Sequence, residues 1–413
     1  MKKRPEILAP AGDMTMLQAV LDAGCDAVYL GLDRLNMRRM ATRNFTLETL
    51  PDASRRCRNK NVRCYLTLNS ILFEHELEEC REMLQFAKTY IDAVIVADWA
   101  AIEICRELGI PFHISTQMSC SNSGAARFLK AQGAQRIVLA RECTLEEVAQ
   151  IARCAAIPVE VFVHGAVCVA VSGRCLLSHD AYGYSANRGE CRQPCRRRFT
   201  VREVREGEDA DAEFRVDAHT VLSARDLCSL PFVDRLMEAG VSAFKIEGRA
   251  RNPEYGATVV AAYRRAVEAV LDGGFNQSLA NELVKSCATV YHRPFGTGLY
   301  YGRPGSGQFA DTDENQATLR KLHTGIVLNY YSKAQAVQIQ IQDKPITIGD
   351  KIAIHGSKTG IVNLAITEMR RDEERCKHAE KGTWVTLPCQ ERVRAGDKVF
   401  IVEDVGRGLK TED

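Results

Sequence analysis

The sequence predicts an α/β chain: a (β/α)8 barrel of the TIM type with a long cysteine-rich insertion, followed by a small all-β barrel. Three observations predict it. Short apolar runs alternate with amphipathic stretches eight times in roughly the first 300 residues, the count and size of such a barrel. One connection in that series is far longer than the others and holds a group of cysteines. Beyond about residue 320 the helical period disappears and short strand-like runs follow one another.

The expected barrel strands are Glu6–Pro10, Ala27–Leu32, Arg63–Asn69, Ala93–Asp98, Pro111–Thr116, Arg136–Arg141, Val159–His164 and Ala243–Glu247. Several are continuous apolar runs, as parallel strands buried on both faces require. The helices expected between them are Thr15–Gly24, Thr46–Lys60, His75–Tyr90, Trp99–Gly109, Thr144–Ala156 and Arg251–Gly273. Glycine closes the first and fourth, and Thr144-x-x-Glu147 opens another as a capping box. A doubly wound open sheet is the alternative, but no G-x-G-x-x-G follows the first strand.

The long connection runs from His164 to a helix near Pro231, about 65 residues. Within it Phe199–Val204 and Glu213–Val216 read as a hairpin around the charged turn Glu206–Asp211. Gly302–Gly307 reads as a linker. Six short strands are expected beyond it: Thr324–Leu328, Ala336–Ile341, Lys351–Ile354, Gly360–Ile366, Gly382–Leu387 and Lys398–Val402. The organisation is thus a barrel over 1–301 with its loop at 165–230, a linker over 302–319, a β-barrel over 320–405 and a tail over 406–413.

Composition bounds the function. With 46% hydrophobic and 26% charged residues the chain is ordinary globular protein, neither disordered nor collagen-like. Its 55 Lys+Arg against 53 Asp+Glu give a formal charge of +2, which argues against a protein that coats nucleic acid and leaves room for a local basic patch. No apolar run approaches the roughly 18 residues of a membrane span. The basic start Met1-Lys2-Lys3-Arg4 meets Pro10, Gly12 and Asp13 before any signal-peptide core develops, so a cytoplasmic location is expected.

Sixteen cysteines in a reducing compartment point to metal or catalytic thiols rather than disulfides. Most are scattered singly and suit a core. Cys168, Cys175, Cys191, Cys195 and Cys228 crowd the long loop, near one barrel mouth. Four thiolates can hold a zinc ion or a [4Fe–4S] cluster. Structural zinc favours two close Cys pairs, and only Cys191 and Cys195 are close, so the spacing favours iron–sulfur, with zinc and a metal-free loop as alternatives. Seven arginines between Arg188 and Arg205, among them Arg188 and Arg196, offer a solvated hairpin face or a site for phosphate or dicarboxylate. Barrel active sites lie at the strands' C-terminal ends, where Asn69, Asp98, Gln117, Arg141, Glu142, His164, Glu247 and Arg249 fall. Asp98 there reads as a helix cap. His164 and Glu247 are candidate proton-transfer groups and Arg249 a catalytic partner or a structural ion-pair partner of Glu247; Asn69, Gln117, Arg188 and Arg196 are candidate substrate-binding groups.

Four stretches resemble the collagenase-like "peptidase U-thirty-two" family. They are Ile7-Leu-Ala-Pro-Ala-Gly-Asp13; Ala27-Val-Tyr-Leu-Gly31 with Asn44-Phe45; Val163-His-Gly-Ala-Val-Cys168 through Ser172-Gly-Arg-Cys175 and Asn187-Arg-Gly-Glu-Cys191-Arg-Gln-Pro-Cys195-Arg196; and Arg225-Asp-Leu-Cys228 with Lys245-Ile-Glu-Gly-Arg249. The likeness covers about residues 1–300, and the β module is similar to one appended in many members. It implies a [4Fe–4S] cluster on Cys168, Cys175, Cys191 and Cys228, with Cys195 as a spare thiol. It implies oxygen-independent hydroxylation of RNA, with prephenate as hydroxyl source and the tRNA wobble uridine as the target that size and β module fit best. A peptidase, a 23S ribosomal RNA cytidine hydroxylase and a non-catalytic cluster-carrying subunit are the other readings. No H-E-x-x-H and no G-x-S-x-G supports the peptidase; His75-Glu76 is followed by Leu-Glu-Glu.

Overall fold

The computed structural model describes residues 4–172, 174–199, 201–202, 215–216, 222–302, 309–310, 312 and 314–406. Eight parallel strands close into a barrel: β1 Glu6–Pro10, β2 Ala27–Gly31, β3 Arg63–Leu68, β4 Ala93–Val96, β5 Phe112–Ile114, β6 Arg136–Val138, β7 Val159–Gly165 and β8 Ala243–Ile246. Closure is made by β8, whose Ala243 pairs with Glu6 of β1 on one side and Glu160 of β7 on the other. The expected strands overrun the observed ones mainly at their C-terminal ends. There the chain leaves the sheet to build loops, and those residues line the mouth.

The helices outside the barrel are α1 Met14–Asp22, α2 Leu50–Asn59, α3 Leu77–Ala87, α4 Trp99–Glu107, α5 Ser123–Ala131, α6 Leu145–Cys154, α7 Leu177–Tyr182, α8 Val233–Glu238, α9 Pro253–Leu271 and α10 Gln277–Cys287. Local chemistry starts most of them. Asp13 accepts from the Met16 amide at 2.8 Å, Asp98 from Ala100 at 2.9 Å, and Thr144 and Glu147 form the expected capping box. Asp98 also accepts from the Leu72 amide, so its role is the cap the sequence indicated.

Strand parity splits the interior in two. Outward residues such as Ile7, Val28, Leu66, Val94, Ile114 and Val161 pack beneath the helices. Inward, Leu8, Tyr29, Tyr65 and Ile95 form a small apolar plug beside buried charges. Arg136 bridges Glu6 at 2.5 Å and Glu160 at 3.2 Å, and Glu160 accepts from Lys245 at 2.9 Å. Both faces are buried, as the apolar runs indicated, but the inner face is partly ionic.

The insertion between β7 and β8 contains α7, the pair Val201–Arg202 with Arg215–Val216, and a strand Asp226–Cys228. The hairpin ends pair as the sequence indicated, Val201 with Val216; the expected turn lies outside the described residues. Asp226–Cys228 runs antiparallel to the end of β7, with Cys228 opposite His164. Much of the glycine linker, 303–308, also lies outside the described residues.

The C-terminal part is antiparallel: β9 Leu319–Tyr331, β10 Ala336–Ile341, β11 Lys351–Gly356, β12 Gly360–Ala365, β13 Trp384–Pro388 and β14 Lys398–Asp404. They pair in the order β12-β11-β14-β9-β10-β13 around a separate core of Val327, Ile339, Ile354, Val385 and Val399. This sheet lies on the helical flank of the barrel. Gly360 packs on Gln18 and Ala19 of α1, Arg56 of α2 donates to the Ser357 carbonyl, and Glu254 of α9 takes both Lys321 and His355. Among the described residues no helix is long and apolar enough to cross a membrane.

Candidate active site at the barrel mouth

A narrow cleft, with a cavity of about 60 Å³, opens at the C-terminal ends of the strands. Its floor is Tyr29, Thr67, Phe162 and Lys245; its walls are Arg38, Asn69, Ser115, Gln117, Arg141, Glu247 and Arg249; Cys168 and Ser172 of the insertion form its rim. Strand parity explains the floor and wall of β8: Lys245 and Glu247 are two residues apart and both face inward.

Charge organises this cleft. Arg38 reaches Glu247 Oε1 through Nη2 at 3.0 Å and Nε at 3.3 Å. Burial alone would raise the Glu247 pKa, but Arg38, Arg141 and Arg249 overcome it and hold the carboxyl down at about 2. Glu247 is therefore an ionised carboxylate at neutral pH and a weak base. It fixes Arg38 rather than shuttling a proton. Arg249 is buried, which lowers its pKa to about 10, and it donates to neutral partners, Thr67 Oγ1 at 2.9 Å and Asn36 Oδ1 at 3.2 Å. Arg141 lies flat over the Phe162 ring at 3.9 Å and donates to the Ala166 carbonyl at 2.6 Å; its Nε has no partner. Among the described residues neither Arg141 nor Arg249 has a carboxylate within ion-pair distance. Lys245, held by Glu160, sits 4.7 Å from the Tyr29 ring centre.

Close backbone approach makes room for Arg249. A Cβ on Gly31 would lie 2.3 Å from Arg249 Nη1, and a Cβ on Gly12 would lie 2.0 Å from the Arg249 carbonyl oxygen. Glycines from β2 and from the turn after β1 thus frame one arginine.

Asn69 and Gln117 are in the cleft as expected, joined at 3.3 Å, with Gln117 also taking the Ser115 hydroxyl. Three other expectations need correction. His164 does not line the cleft. A bulge between β7 and β8 pairs it with Ile246 rather than Glu247, turning it to the outer layer against Tyr255, Tyr263 and Phe295, where burial lowers its pKa to about 3. Arg188 pins the β3–α3 loop through Glu76 and the Ile71 carbonyl. Arg196 is spent on Ser223 Oγ and the carbonyls of Ala224 and Val167, clamping the insertion. Neither arginine lines the cleft. Conversely Arg38, Tyr29, Thr67 and Lys245 were missed. Parity with Glu247 was the signal for Lys245; the unusually long β2–α2 connection was the signal for Arg38.

Four of the clustered thiols are neighbours. Burial raises the Cys195 pKa, Arg196 lowers it, and Cys168, Cys191 and Cys175 raise it further. Cys168 and Cys191 also act on Arg38, so the thiols adjoin the cleft. Cys228 stands apart: opposite His164, it faces Tyr263 in the outer layer, and burial pushes its pKa up to about 12. Cys195 thus feels the charges of Cys168, Cys175 and Cys191, and Cys228 reaches the insertion on the strand beside the end of β7. Among the described residues no three His, Cys, Asp or Glu side chains converge closely enough to hold a metal ion as they stand. The donor chemistry, four soft thiols on one loop, fits an iron–sulfur cluster.

Residues 12–309 match the model of Peptidase family U32. The chain belongs to this family. The U32 protein is 36% identical to a collagenase of Porphyromonas gingivalis over 96% of its own length and 97% of that protein. It is 32% identical to a tRNA hydroxylation protein of Bacillus subtilis, over 86% of this chain and 84% of the other. It is 35% identical to a 23S rRNA 5-hydroxycytidine synthase of Escherichia coli, over 65% of this chain and 40% of that protein.

Proposed function

We propose that this protein hydroxylates RNA without molecular oxygen, converting a tRNA wobble uridine to 5-hydroxyuridine, with prephenate as hydroxyl source and a [4Fe–4S] cluster as cofactor. The observation that carries the reading is the cleft's charge. Among the described residues Arg141 and Arg249 face it with Glu247 as their nearby counter-charge but outside salt-bridge contact, and two such forks match a small dicarboxylate. The relative from Bacillus subtilis, named for tRNA hydroxylation, spans most of the chain and supports the choice of RNA.

Cys168, Cys175, Cys191 and Cys228 would hold the cluster, with Cys195 as the alternative fourth ligand on the same insertion. When bound, the cluster would supply redox or Lewis-acid chemistry. The chain's own residues do the rest. Arg141 and Arg249 bind carboxylates, Glu247 holds Arg38 in place, and Asn69 and Gln117 offer amides to polar groups of the ligand. The collagenase relative favours a peptidase as second reading. Against it, among the described residues no histidine lines the cleft beside Cys168, Ser115 or Ser172 to activate a nucleophile.

Mass spectrometry of tRNA nucleosides tests the reading. Deleting the gene is expected to remove 5-hydroxyuridine, the wild-type gene to restore it, and a Cys191→Ser gene to leave it absent. Unchanged tRNA with loss of 5-hydroxycytidine from ribosomal RNA would move the substrate; no change in either RNA would overturn the proposal.

A further inference from the structure

The insertion carries arginines that the cleft does not use, and they sit on exposed aromatic rings. The guanidinium of Arg192 lies 4.5 Å from the Tyr184 ring centre, that of Arg197 lies 5.1 Å from Tyr182, and that of Arg188 lies 4.5 Å from Phe73. The three rings are 38%, 36% and 51% exposed. Three guanidinium–ring contacts thus come from the stretch Arg188–Arg197. Arg188 is neutralised by Glu76, but Arg192 and Arg197 have no carboxylate partner among the described residues. From Arg174 to Arg198 the chain has six arginines against Asp180 and Glu190, and Glu190 is taken by Arg39.

The platform is built rather than loose. Ser178 of α7 anchors both members of one pair: its hydroxyl accepts from the Arg192 amide at 3.0 Å and its carbonyl from the Tyr184 amide at 3.2 Å. The Arg197 amide donates to the Pro194 carbonyl at 2.9 Å. The same insertion supplies Cys168 and Ser172 to the cleft rim, and Arg174 donates to the Gln117 carbonyl at 3.4 Å. Exposed rings beside guanidinium groups on the loop that rims a cleft are what single-stranded nucleic acid requires: bases stack on rings or guanidinium planes, and phosphates meet the charges.

We propose that Tyr182 and Tyr184, with Arg192 and Arg197, form the docking platform for a single-stranded RNA loop that presents one base to the cleft. This rests on the reading that RNA is the substrate. The test is fluorescence anisotropy of the full-length protein with a labelled anticodon-arm hairpin, across a salt series. Tyr182→Ala with Tyr184→Ala is expected to weaken binding about tenfold or more, since each stacked base contributes about 5- to 150-fold. Arg192→Gln with Arg197→Gln is expected to reduce the slope of log affinity against log salt by about 0.7 for each phosphate no longer neutralised. Trp99→Ala, an exposed aromatic on α4, is expected to bind as wild type. Both double variants binding like wild type, with the wild type binding well, would overturn the platform and leave the hydroxylase reading intact. A wild type that does not bind the hairpin at any salt would overturn the RNA reading and the platform with it.

Discussion

Glu247 is the residue on which the cleft turns. It is the one carboxylate among three arginines, with its side chain 14% exposed and Arg38 beside it at 21%. Glu247→Gln keeps the shape and removes the charge, leaving Arg38 without its counter-ion. The expected destabilisation is about 2–4 kcal/mol, toward the low side of a buried broken pair because solvent reaches both groups. Hydroxylation is expected to fall about a hundredfold, because Arg38 no longer holds its place. Urea unfolding and single-turnover assays check the two effects separately. Wild-type turnover in the variant would remove Glu247 from the site. His164, chosen from the sequence for its strand-end position, illustrates the limit of that reasoning. A one-residue bulge reverses a side chain's face, and no pattern in Val159–His164 announces it.

At the scale of elements, strands β1 and β2 meet β8 through glycine. Gly31→Ala would place a methyl against the buried guanidinium of Arg249 and the Asn36 side chain, and Gly12→Ala would place one against the Arg249 backbone. The first is expected to melt within a few degrees of wild type while losing at least tenfold in turnover, because side-chain atoms of Arg249 and Asn36 shift and no backbone must. The second is expected to cost about 1–3 kcal/mol, because a backbone must move. Thermal melts beside activity distinguish them, and equal behaviour of the two would contradict the geometry. The barrel itself was legible because parallel strands with Ala-Val-Ile-Val runs and helix caps repeat along the chain. Helices α5 and α10 were missed because each buries a thin stripe, Ala126 and Leu129 in one and Ala280, Leu283 and Cys287 in the other. The site was half legible. Asn69, Gln117, Glu247, Arg249 and Cys168 could be read from strand ends and cysteine crowding. Arg38 could not, since loop residues 32–49 carry no period that says which side chain turns inward. Arg188 and Arg196 looked like ligand binders because sequence does not show that carbonyls and Glu76 already occupy them.

The whole molecule is two cores joined by a polar seam, and its acid response follows from buried imidazoles. Burial holds His113 and His164 at about 3, whereas an unfolded imidazole titrates near 6.5. Between those values the unfolded chain binds more protons, so stability falls as pH falls, by up to about 1.4 kcal/mol per pH unit for each histidine. Glu247 adds to this lower down: its contribution is full above about pH 4.5 and is lost as pH falls toward 2. The melting midpoint is expected to drop steadily below pH 6.5, and His164→Phe is expected to flatten that decline. A wild-type midpoint constant from pH 7 to 5 would contradict the burial of these rings. The proposed reaction at this mouth, lined by thiols and arginines, is transfer of a hydroxyl group to tRNA. The most direct measurement is an oxygen-free reaction of anaerobically purified protein with unmodified tRNA and prephenate, read by nucleoside mass spectrometry. One oxygen atom is expected to be gained on a wobble uridine, dependent on prephenate and absent with Cys191→Ser. Unmodified tRNA from a cluster-loaded protein that cleaves an unstructured peptide would contradict it.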